Sequence, residues 1–469
     1  MGRARLADVM PHPPRLLKLV WPLFLELGLG MAVSLIGTAL AARLSDEAGA
    51  GFALANHVFA TLFMLFRVIG AGISVVLTQC LGSQRRDQAD AVARAALGAA
   101  TWIGAAAAVM ALVGARGMLG LVNAPAEVLV VAVPFLMTLA PCILLDAWNA
   151  SMASVMRSHL HAREALFVII TMHLVHLLLA VPLMRGWGPV PALGLPGYAL
   201  AMLGARFLGV ALHLLLWKVR LGLVPTRRDW WHPPRRQLAA ILRIGLPGAA
   251  ENLSWRLCFM ASVAAAGHMG AQALATHAYV MQVMYWLLLF GAATGLAVEI
   301  VVGHLIGAGQ LHEAHQLVRK ALGRGIVVSL CLALLAALAG RHLLGLFTED
   351  AEILRNGALL LWLTVLVEPG RTFNLVVINA LRAAGDARYP VIAGTGSLLL
   401  VLAGGSWLLG VHLGLGLPGL WLAYACDEWI RGLLMWRRWA KQAWVPHARA
   451  THRALRRDRH DGDVNLAAA

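Results

Sequence analysis

The sequence predicts an all-α integral membrane protein with twelve transmembrane helices. Of its 469 residues, 60% are apolar and only 13% are charged, whereas a soluble protein carries about 25% charged residues. Mean hydropathy is +0.73. A membrane-spanning helix needs roughly 20 mainly apolar residues, and twelve such segments are centred near residues 30, 66, 103, 138, 174, 208, 253, 288, 330, 366, 400 and 427. These runs are longer than the alternating strands of an outer-membrane barrel.

The distribution of positive charge predicts how these helices are oriented. The net charge of +16 is compatible with a nucleic-acid partner, but the Lys and Arg residues are concentrated in alternate connections between the segments. If the N-terminus is cytoplasmic, the outer loops hold only Arg43, Arg116, Arg185, Arg341 and Arg355. Cytoplasmic loops of membrane proteins carry the excess of Lys and Arg. We therefore expect both termini in the cytoplasm, no nucleic-acid partner, and contact of the basic C-terminal tail with anionic lipid.

The two halves of the chain repeat each other. At one common shift of 225 residues, the matching pairs include Pro22 with Pro247, Glu26 with Glu251, Gly82 with Gly307, Arg94 with Arg319, Asn149 with Asn374 and Arg157 with Arg382. Each half therefore holds six predicted helices, and an even number gives both halves the same orientation in the membrane. Paired bundles of this kind are a common plan of secondary transporters, whose substrate site lies between the repeats near the membrane midplane.

These patterns divide the chain into five predicted parts. The connection between the halves is rich in Pro and Arg, as expected of a cytoplasmic linker, and the tail is so basic that we expect it to be disordered. The parts are a cytoplasmic N-terminal segment (1–15), an N-lobe of helices 1–6 (16–220), a cytoplasmic linker (221–240), a C-lobe of helices 7–12 (241–440) and a cytoplasmic tail (441–469).

Several polar side chains fall inside the predicted spans, where each ionised group costs about 2.5–3.5 kcal/mol on insertion scales. Such groups persist when they pair or when they serve a transport pathway. The candidate ion-binding or substrate-binding residues are Glu26, Asp146, Glu251, His277, Glu368, Arg371 and Asn374. We favour a functional interpretation for Glu251, because its own helix offers no obvious partner at the right spacing. His277 is either a packed, hydrogen-bonded residue or a proton carrier.

The predicted tenth helix places Glu368, Arg371 and Asn374 on one face, because they follow one another at intervals of three residues. We expect this face to point into the C-terminal bundle, where Glu251 is also expected. Two interpretations of the first two residues stay open. Glu368 and Arg371 form a permanent structural pair, or Arg371 holds Glu368 ionised in one state and releases it in another.

Other polar patterns give little indication of chemistry. Asp427, Glu428 and Arg431 lie near a predicted helix end and are interpreted as structural. The stretch HEAHQ (312–316) lacks the spacing of the H-E-x-x-H zinc motif, and the sequence has no phosphate-binding loop pattern, which argues against direct use of ATP. We therefore expect no enzyme activity and no cofactor.

Three stretches carry the most specific similarity to a known family: RIGLPGAAENLSW (243–255), EPGRTFNLVVINALRAAGDARYP (368–390) and GLPGLWLAYACDEWIRGLLMWRRW (416–439). Through them, most of the chain resembles the multidrug and toxic compound extrusion (MATE) transporters, in particular a bacterial branch. The resemblance implies a V-shaped pair of six-helix lobes that alternate between inward-open and outward-open forms. It also implies export of small organic, often cationic, compounds in exchange for protons or sodium ions. We expect a monomer in the bacterial inner (plasma) membrane.

The resemblance also assigns roles to particular residues. Family members often carry functional carboxylates in helices seven and ten, which Glu251 and Glu368 supply here, so a sodium ion, if one is used, is expected at these two residues. Many relatives have an aspartate late in helix one, where this chain has Gly37. Glu26 and Asp146 are the remaining acids on the N-lobe side.

Two other functions stay open. A lipid-linked or polysaccharide flippase of the wider superfamily would need a larger lateral opening and a more cationic cavity, whereas the acids inside the spans favour a cationic or neutral substrate. An integral membrane enzyme would need a convergent catalytic set, and the sequence offers none.

Overall fold

The structure is a computed structural model that describes residues 16–120, 125–187, 191–232 and 234–455. The described chain is all-α, as predicted. Its long helices are α1 Leu17–Ala42, α2 Asp46–Gly82, α3 Arg86–Gly120, α4 Ala126–Ser158, α5 Ala162–Arg185, α6 Leu195–Leu216, α7 Arg235–His268, α8 Ala271–Gly307, α9 Leu311–Leu338, α10 Ala351–Ala383, α11 Arg388–Ser397 and α12 Leu417–Ala440. Short π-helical segments continue α6 (Trp217–Leu221) and α11 (Leu398–Ala403 and Ser406–His412).

Within the described ranges, nine of these helices are long and apolar enough to cross a membrane, by length and composition. The other three are α2, α7 and α12. Helix α12 is less apolar because Asp427, Glu428 and Arg431 occupy its middle, and all three side chains are buried. These three charged residues lower the hydropathy of α12, but because their side chains are buried they are not exposed to lipid.

The repeat is visible in the backbone as well as in the sequence. Each half begins its last helix with Leu-Pro after a glycine of positive φ, which is Gly194 (φ 60°) before α6 and Gly416 (φ 63°) before α12. Glycine adopts positive φ without steric cost. Proline suits the first turn of a helix, where its missing N–H would have no partner. The sequence LGLPG, which occurs at 193–197 and at 415–419, therefore builds the same helix start twice.

Helix α10 begins at an aspartate cap. The side chain of Asp350 accepts hydrogen bonds from the backbone N–H groups of Glu352 (2.9 Å) and Ile353 (3.0 Å), which satisfies donors that a helix start leaves unpaired. The helix then continues through Pro369 to its end at Ala383. The polar face predicted for helix ten therefore belongs to one continuous element.

The contacts divide the chain into two compact units. The N-terminal unit comprises Leu23–Leu77 and Arg85–Leu253, and the C-terminal unit comprises the chain from Ser254 onward, Thr78–Gln84 and the start of α1 up to Pro22. Three of the four boundaries fall inside α1, α2 and α7, and the fourth, between Gln84 and Arg85, falls in the connection between α2 and α3. The lobe limits inferred from the sequence stay predictions.

Each unit has its own aromatic core. In the N-terminal unit, Phe52 packs against Phe135 with 5.4 Å between ring centroids and against Tyr198 with 5.0 Å. In the C-terminal unit, Trp421 of α12 packs edge-on against the buried ring of His277, with 5.5 Å between centroids. These contacts hold in place the helices that carry the polar side chains described below.

The C-terminal tail is partly helical. Residues 445–455, named here the tail helix, form a helix, which differs from the disorder expected from the basic composition. Trp444, just before it, is buried and stacks on Trp439 of α12 with 4.2 Å between ring centroids. This buried contact orders the start of the tail. The rest of the predicted tail (456–469) and the predicted N-terminal segment (1–15) lie outside the described residues.

Candidate functional site

A buried group of polar side chains, named here the charged cluster, joins α10 and α12 in the C-terminal unit. Its members are Glu368, Arg371 and Asn374 from α10 and Asp427, Glu428 and Arg431 from α12. Side-chain exposure is 12% for Arg371 and at most 7% for the other charged members. Charges removed from water to this extent are unfavourable unless each is paired, so the pairing decides what the cluster can do.

Arg371 bridges two carboxylates that lie on different helices. Its Nη1 is 2.6 Å from Oε1 of Glu368, one turn earlier on α10, and its Nε is 3.2 Å from Oε1 of Glu428 on α12. Asn374 donates from Nδ2 to the other oxygen of Glu428, Oε2, at 3.0 Å. The face predicted for helix ten therefore points at α12 and does not pair only along its own helix.

The charged cluster continues along α12 through Arg431. Its guanidinium donates to Oδ2 of Asp427 from Nη2 (2.6 Å) and from Nε (2.9 Å), and Nη2 also lies 3.0 Å from Oε2 of Glu428. Ser397, at the end of the α-helical part of α11, donates to Oδ1 of Asp427 at 2.7 Å. Glu428 is therefore shared by both arginines and lies at the centre of the cluster.

Sequence reasoning missed the contribution of α12. It places Asp427, Glu428 and Arg431 near a helix end, whereas α12 extends on both sides of them. Glu428 is the interhelical partner of Arg371 that the sequence did not reveal. A signal was present, because two adjacent acids followed by an arginine one turn later, inside the predicted twelfth span, are costly unless they meet other charges.

The charges of the cluster do not balance. Its carboxylates are those of Glu368, Asp427 and Glu428, and its guanidinium groups are those of Arg371 and Arg431. With all five groups ionised, the cluster carries one negative charge in excess. A buried charge without compensation is strongly unfavourable, so the uptake of one cation, such as a proton, would neutralise the cluster and stabilise it.

The N-terminal unit holds a smaller counterpart. Asp146 of α4 pairs with Arg206 of α6, with 2.7 Å between Oδ1 and Nε and side-chain exposures of 7% and 8%. Asn149, one turn after Asp146, donates from Nδ2 to the backbone oxygen of Arg206 at 3.0 Å. One acid and one base leave this pair neutral.

The repeat relates the two sites, and one of their matching positions changes the sign of its charge. Asp146 on α4 is equivalent to Arg371 on α10, so matching positions carry opposite signs. Arg206 on α6 is equivalent to Arg431 on α12, but Arg431 has two acids on its own helix as partners. Of these two sites, the one in the C-terminal unit therefore has the excess negative charge.

Glu26, the other acid expected on the N-lobe side, has a separate arginine partner. Its Oε1 lies 2.7 Å from Nη1 of Arg157, and the two side chains are 20% and 19% exposed. Because Glu26 and Asp146 each pair with a different arginine, the geometry gives them no shared ion.

Aromatic side chains fill the space beside Gly37. A Cβ atom on Gly37 would lie 2.5 Å from the hydroxyl of Tyr198 and 2.7 Å from Cζ of Phe52, well inside the contact distance of carbon atoms. The buried ring of His176 packs edge-on against Tyr198, with 4.5 Å between ring centroids. The space that an aspartate would need at this position of α1 is therefore occupied.

Glu251 is buried on α7, just before the boundary between the compact units. It belongs to the N-terminal unit, whereas Glu368 belongs to the C-terminal unit. This division differs from the expectation that one bundle holds both acids, because α7 passes from one unit to the other soon after Glu251.

His277 belongs to a buried chain of hydroxyl groups in the C-terminal unit. Its Nε2 lies 2.9 Å from Oη of Tyr424, which lies 2.7 Å from Oγ of Ser262. Ser406 donates to Ser262 at 2.9 Å. The histidine is thus packed and hydrogen-bonded. Tyr424 stands one turn before Glu428, so α12 carries both this chain and part of the charged cluster.

Comparison with known sequences places the chain among transporters. The sequence model of the MatE family matches residues 22–181 and 247–407, two stretches that start 225 residues apart and so follow the repeat. The chain is 30% identical over 430 residues to the uncharacterized transporter YisQ of Bacillus subtilis (strain 168), which covers 92% of this chain and 94% of that protein. It is 26% identical over 422 residues to the probable multidrug resistance protein NorM of Pseudomonas putida, covering 87% and 90%.

Solved structures share the fold. A MATE protein crystallised in the bent conformation matches with a TM-score of 0.85 at 17% identity, over 93% of this chain and 96% of that one. The outward-facing form of a multidrug resistance MATE family transporter of the MOP superfamily matches with a TM-score of 0.83 at 19% identity, over 92% and 96%. With the sequence match in both halves, the chain belongs to the MatE family of multidrug and toxic compound extrusion transporters.

Proposed function

We propose that the protein is a secondary active antiporter that exports small organic cations in exchange for protons by alternating access. Membership of the MatE family supports efflux, and the relative from Pseudomonas putida is named as a probable multidrug resistance protein. The observation that carries the proposal is the single excess carboxylate of the charged cluster. A proton would neutralise it, and release of the proton would restore a negative charge that attracts an organic cation, so the two cations can be exchanged.

The position of Arg371 favours a proton over a sodium ion. A metal ion shared by Glu368 and Glu428 would need the space between their carboxylates. The guanidinium of Arg371 fills that space, with contacts of 2.6 and 3.2 Å to the two acids. A proton needs only one carboxylate oxygen and leaves the arginine where it is.

Glu368 is the carboxylate that we assign as the proton acceptor. Among the described residues, its ion pairing is with Arg371 alone. Glu428, by contrast, is held by two arginines and an amide, and Asp427 is held by an arginine and a serine hydroxyl. The carboxylate with the fewest positive and donor partners loses the least when it is protonated.

Protonation changes what Arg371 binds. With Glu368 ionised, the guanidinium is attracted to acids on both α10 and α12. With Glu368 protonated, the attraction within α10 weakens and Arg371 is held mainly by Glu428 on the other helix. The two charge states thus favour different arrangements at the contact between α10 and α12, and an ion can shift a conformational equilibrium only through such a differential interaction.

Glu251 is proposed as a second acidic ligand for the organic cation or the proton. Its side chain is buried on α7, a helix with residues in both compact units. We expect Glu251→Gln to insert and fold normally and to lose gradient-driven efflux. Normal efflux by a well-expressed Glu251→Gln protein would contradict this role and leave the role of the charged cluster untouched.

We further propose that the protein acts as a monomer in a bacterial inner membrane with both termini in the cytoplasm. The bacterial relatives and the concentration of Lys and Arg in alternate connections support this placement. A lipid-linked anionic substrate suits the charged cluster less well, because the excess charge there is negative.

Transport into inverted membrane vesicles tests the proposal. A fluorescent organic cation is supplied outside, and either an acid interior or a sodium gradient is imposed. We expect uptake driven by the acid interior and unchanged by sodium. Uptake driven by sodium without a pH gradient would overturn proton coupling, and no cation uptake under either gradient would overturn the efflux of organic cations.

A further inference from the structure

A cavity at one end of the C-terminal unit is lined by basic side chains and has no part in the proposed transport cycle. Its volume is about 720 Å³. One wall is the turn between α8 and α9 together with the start of α9 (309–313), and the other wall is Arg449, His452 and Arg453 of the tail helix. The tail helix follows α12 closely, so the cavity lies where the long helices of this unit end.

The tail helix is fixed in this position by specific contacts. Nδ1 of His452 lies 2.9 Å from the backbone oxygen of Gly307 at the end of α8, so this nitrogen donates to the carbonyl. The imidazole also packs on Gly309, where an added Cβ would lie 3.1 Å from the ring and where φ is 76°. The positive φ favours glycine, and a Cβ here would press on the imidazole ring. The two walls are therefore held against each other.

The cavity is positively charged. Neither Arg449 nor Arg453 has an acidic partner among the described residues, and the acid in the lining is Glu313. Helix α9 opens onto the cavity with its N-terminus, where Gln310 forms no side-chain cap. The first N–H groups of a helix and its dipole favour an anion at this end. The imidazole rings of His312 and His452 add further polar groups to the lining.

We propose that this cavity binds a phosphate group, either the phosphodiester of an anionic lipid headgroup or a free phosphate. Two guanidinium groups without acidic partners suit phosphate oxygens, which arginine binds through paired N–H donors. The volume is larger than a bare phosphate ion needs and is sufficient for a lipid headgroup. The place of the cavity, at the ends of helices that cross the membrane, is where lipid headgroups lie.

Thermal unfolding and native mass spectrometry of the purified full-length protein in detergent test this site. The probes are a phosphatidylglycerol, a phosphatidylcholine with the same chains, and inorganic phosphate. If the ligand is a lipid headgroup, we expect phosphatidylglycerol to raise the Tm in a saturable way and one phosphatidylglycerol molecule to stay bound in native mass spectrometry. Phosphatidylcholine should do neither. Stabilisation by inorganic phosphate, with no extra effect of phosphatidylglycerol, would identify a free phosphate as the ligand.

The variant that removes the site is Arg449→Gln with Arg453→Gln. We expect its apparent affinity for the active probe to fall by about tenfold for each arginine removed. The matched control is Arg437→Gln with Lys441→Gln, which removes the same charge from nearby positions outside the cavity and should bind like the wild type. Size-exclusion profiles and circular dichroism establish that both variants fold, and Arg449→Lys with Arg453→Lys provides a second, charge-retaining variant with intermediate affinity.

Three results would overturn the proposal. The first is a wild-type affinity of the Arg449→Gln/Arg453→Gln protein for the probe. The second is an equal loss of affinity in the control variant. The third is that none of the probes stabilises or binds the wild-type protein. If the doubly neutral variant misfolds, the lysine variant decides, because wild-type affinity in that protein would exclude paired arginine contacts to phosphate.

Discussion

The guanidinium of Arg371 on α10 lies 3.2 Å from the carboxylate of Glu428 on α12. This contact joins residues 57 positions apart in the sequence and turns a pair within one helix into a cluster of five charged groups. Since the cluster then holds one carboxylate more than it has guanidinium groups, its net charge depends on whether a cation is bound. The first two predictions follow from that count.

Replacing Glu368 by Gln should abolish proton-driven efflux while the protein still inserts and folds. The substitution leaves two carboxylates opposite two guanidinium groups, so the cluster is neutral without a proton. Accumulation of a fluorescent organic cation in acid-interior inverted vesicles is the measurement, and we expect it to fall to the level of vesicles without the protein. Glu349→Gln, at an exposed position before α10, is the control. Accumulation of the fluorescent cation at the wild-type level by Glu368→Gln would contradict the assignment of Glu368 as the proton acceptor.

Replacing Arg371 alone should destabilise the protein by about 3–5 kcal/mol, the usual effect of removing one partner from a buried ion pair. Three carboxylates would then share one guanidinium. Adding Glu368→Gln to Arg371→Gln should restore most of the apparent Tm in detergent, because the excess charge returns to that of the wild type.

The same double variant separates a structural pair from a functional one. If Glu368 and Arg371 only stabilise the helix, the double variant transports normally once it folds. We expect instead a folded protein whose efflux no longer responds to the pH gradient, because the carboxylate assigned as the proton acceptor is gone even though the cluster keeps one excess negative charge. Coupled efflux near the wild-type rate, or a double variant as unstable as Arg371→Gln, would contradict this reasoning.

Replacing Gly37 by Ala should lower stability by about 1–3 kcal/mol, the usual effect of overpacking a core. The added methyl group would lie 2.5 Å from the hydroxyl of Tyr198. Gly30→Ala is the control on the same helix, since a Cβ there meets nothing within 4 Å and alanine favours a helix by up to about 1 kcal/mol over glycine. Combining Gly37→Ala with Tyr198→Phe should restore part of the lost stability, because the hydroxyl nearest to the added methyl group is removed. Equal Tm values for the two alanine variants would show that the space beside Gly37 adapts.

Reporter fusions should place the C-terminal tail and the connection between α5 and α6 on opposite sides of the membrane. A fusion after Arg453 is expected to report the cytoplasm. A fusion within 185–192 is expected to report the outer side, because the predicted outer loops contain few Lys and Arg residues. Alkaline phosphatase and a fluorescent protein serve as paired reporters that are active on opposite sides. The same side for both fusions would break the twelve-span topology.

The sequence alone determined the class of the protein and the positions of its helices. Hydropathy and turn signals are properties of consecutive residues, so twelve apolar segments, the LGLPG helix starts and the alternation of positive charge are readable without a structure. The pairing of Glu368 with Arg371 is also local, because a spacing of three residues on one helix brings the side chains together. The repeat and the family motifs are likewise written in the chain.

Tertiary packing decided the partners across helices. Glu428 meets Arg371, and Arg206 meets Asp146, only because two helices pack with a particular rotation and register, which no local pattern encodes. The same holds for Tyr198, whose hydroxyl fills the space beside Gly37. Charge balance in a buried site is a sum over all the helices that meet there. For that reason the sequence could name the acids inside the spans, while the structure alone revealed that one of them is in excess.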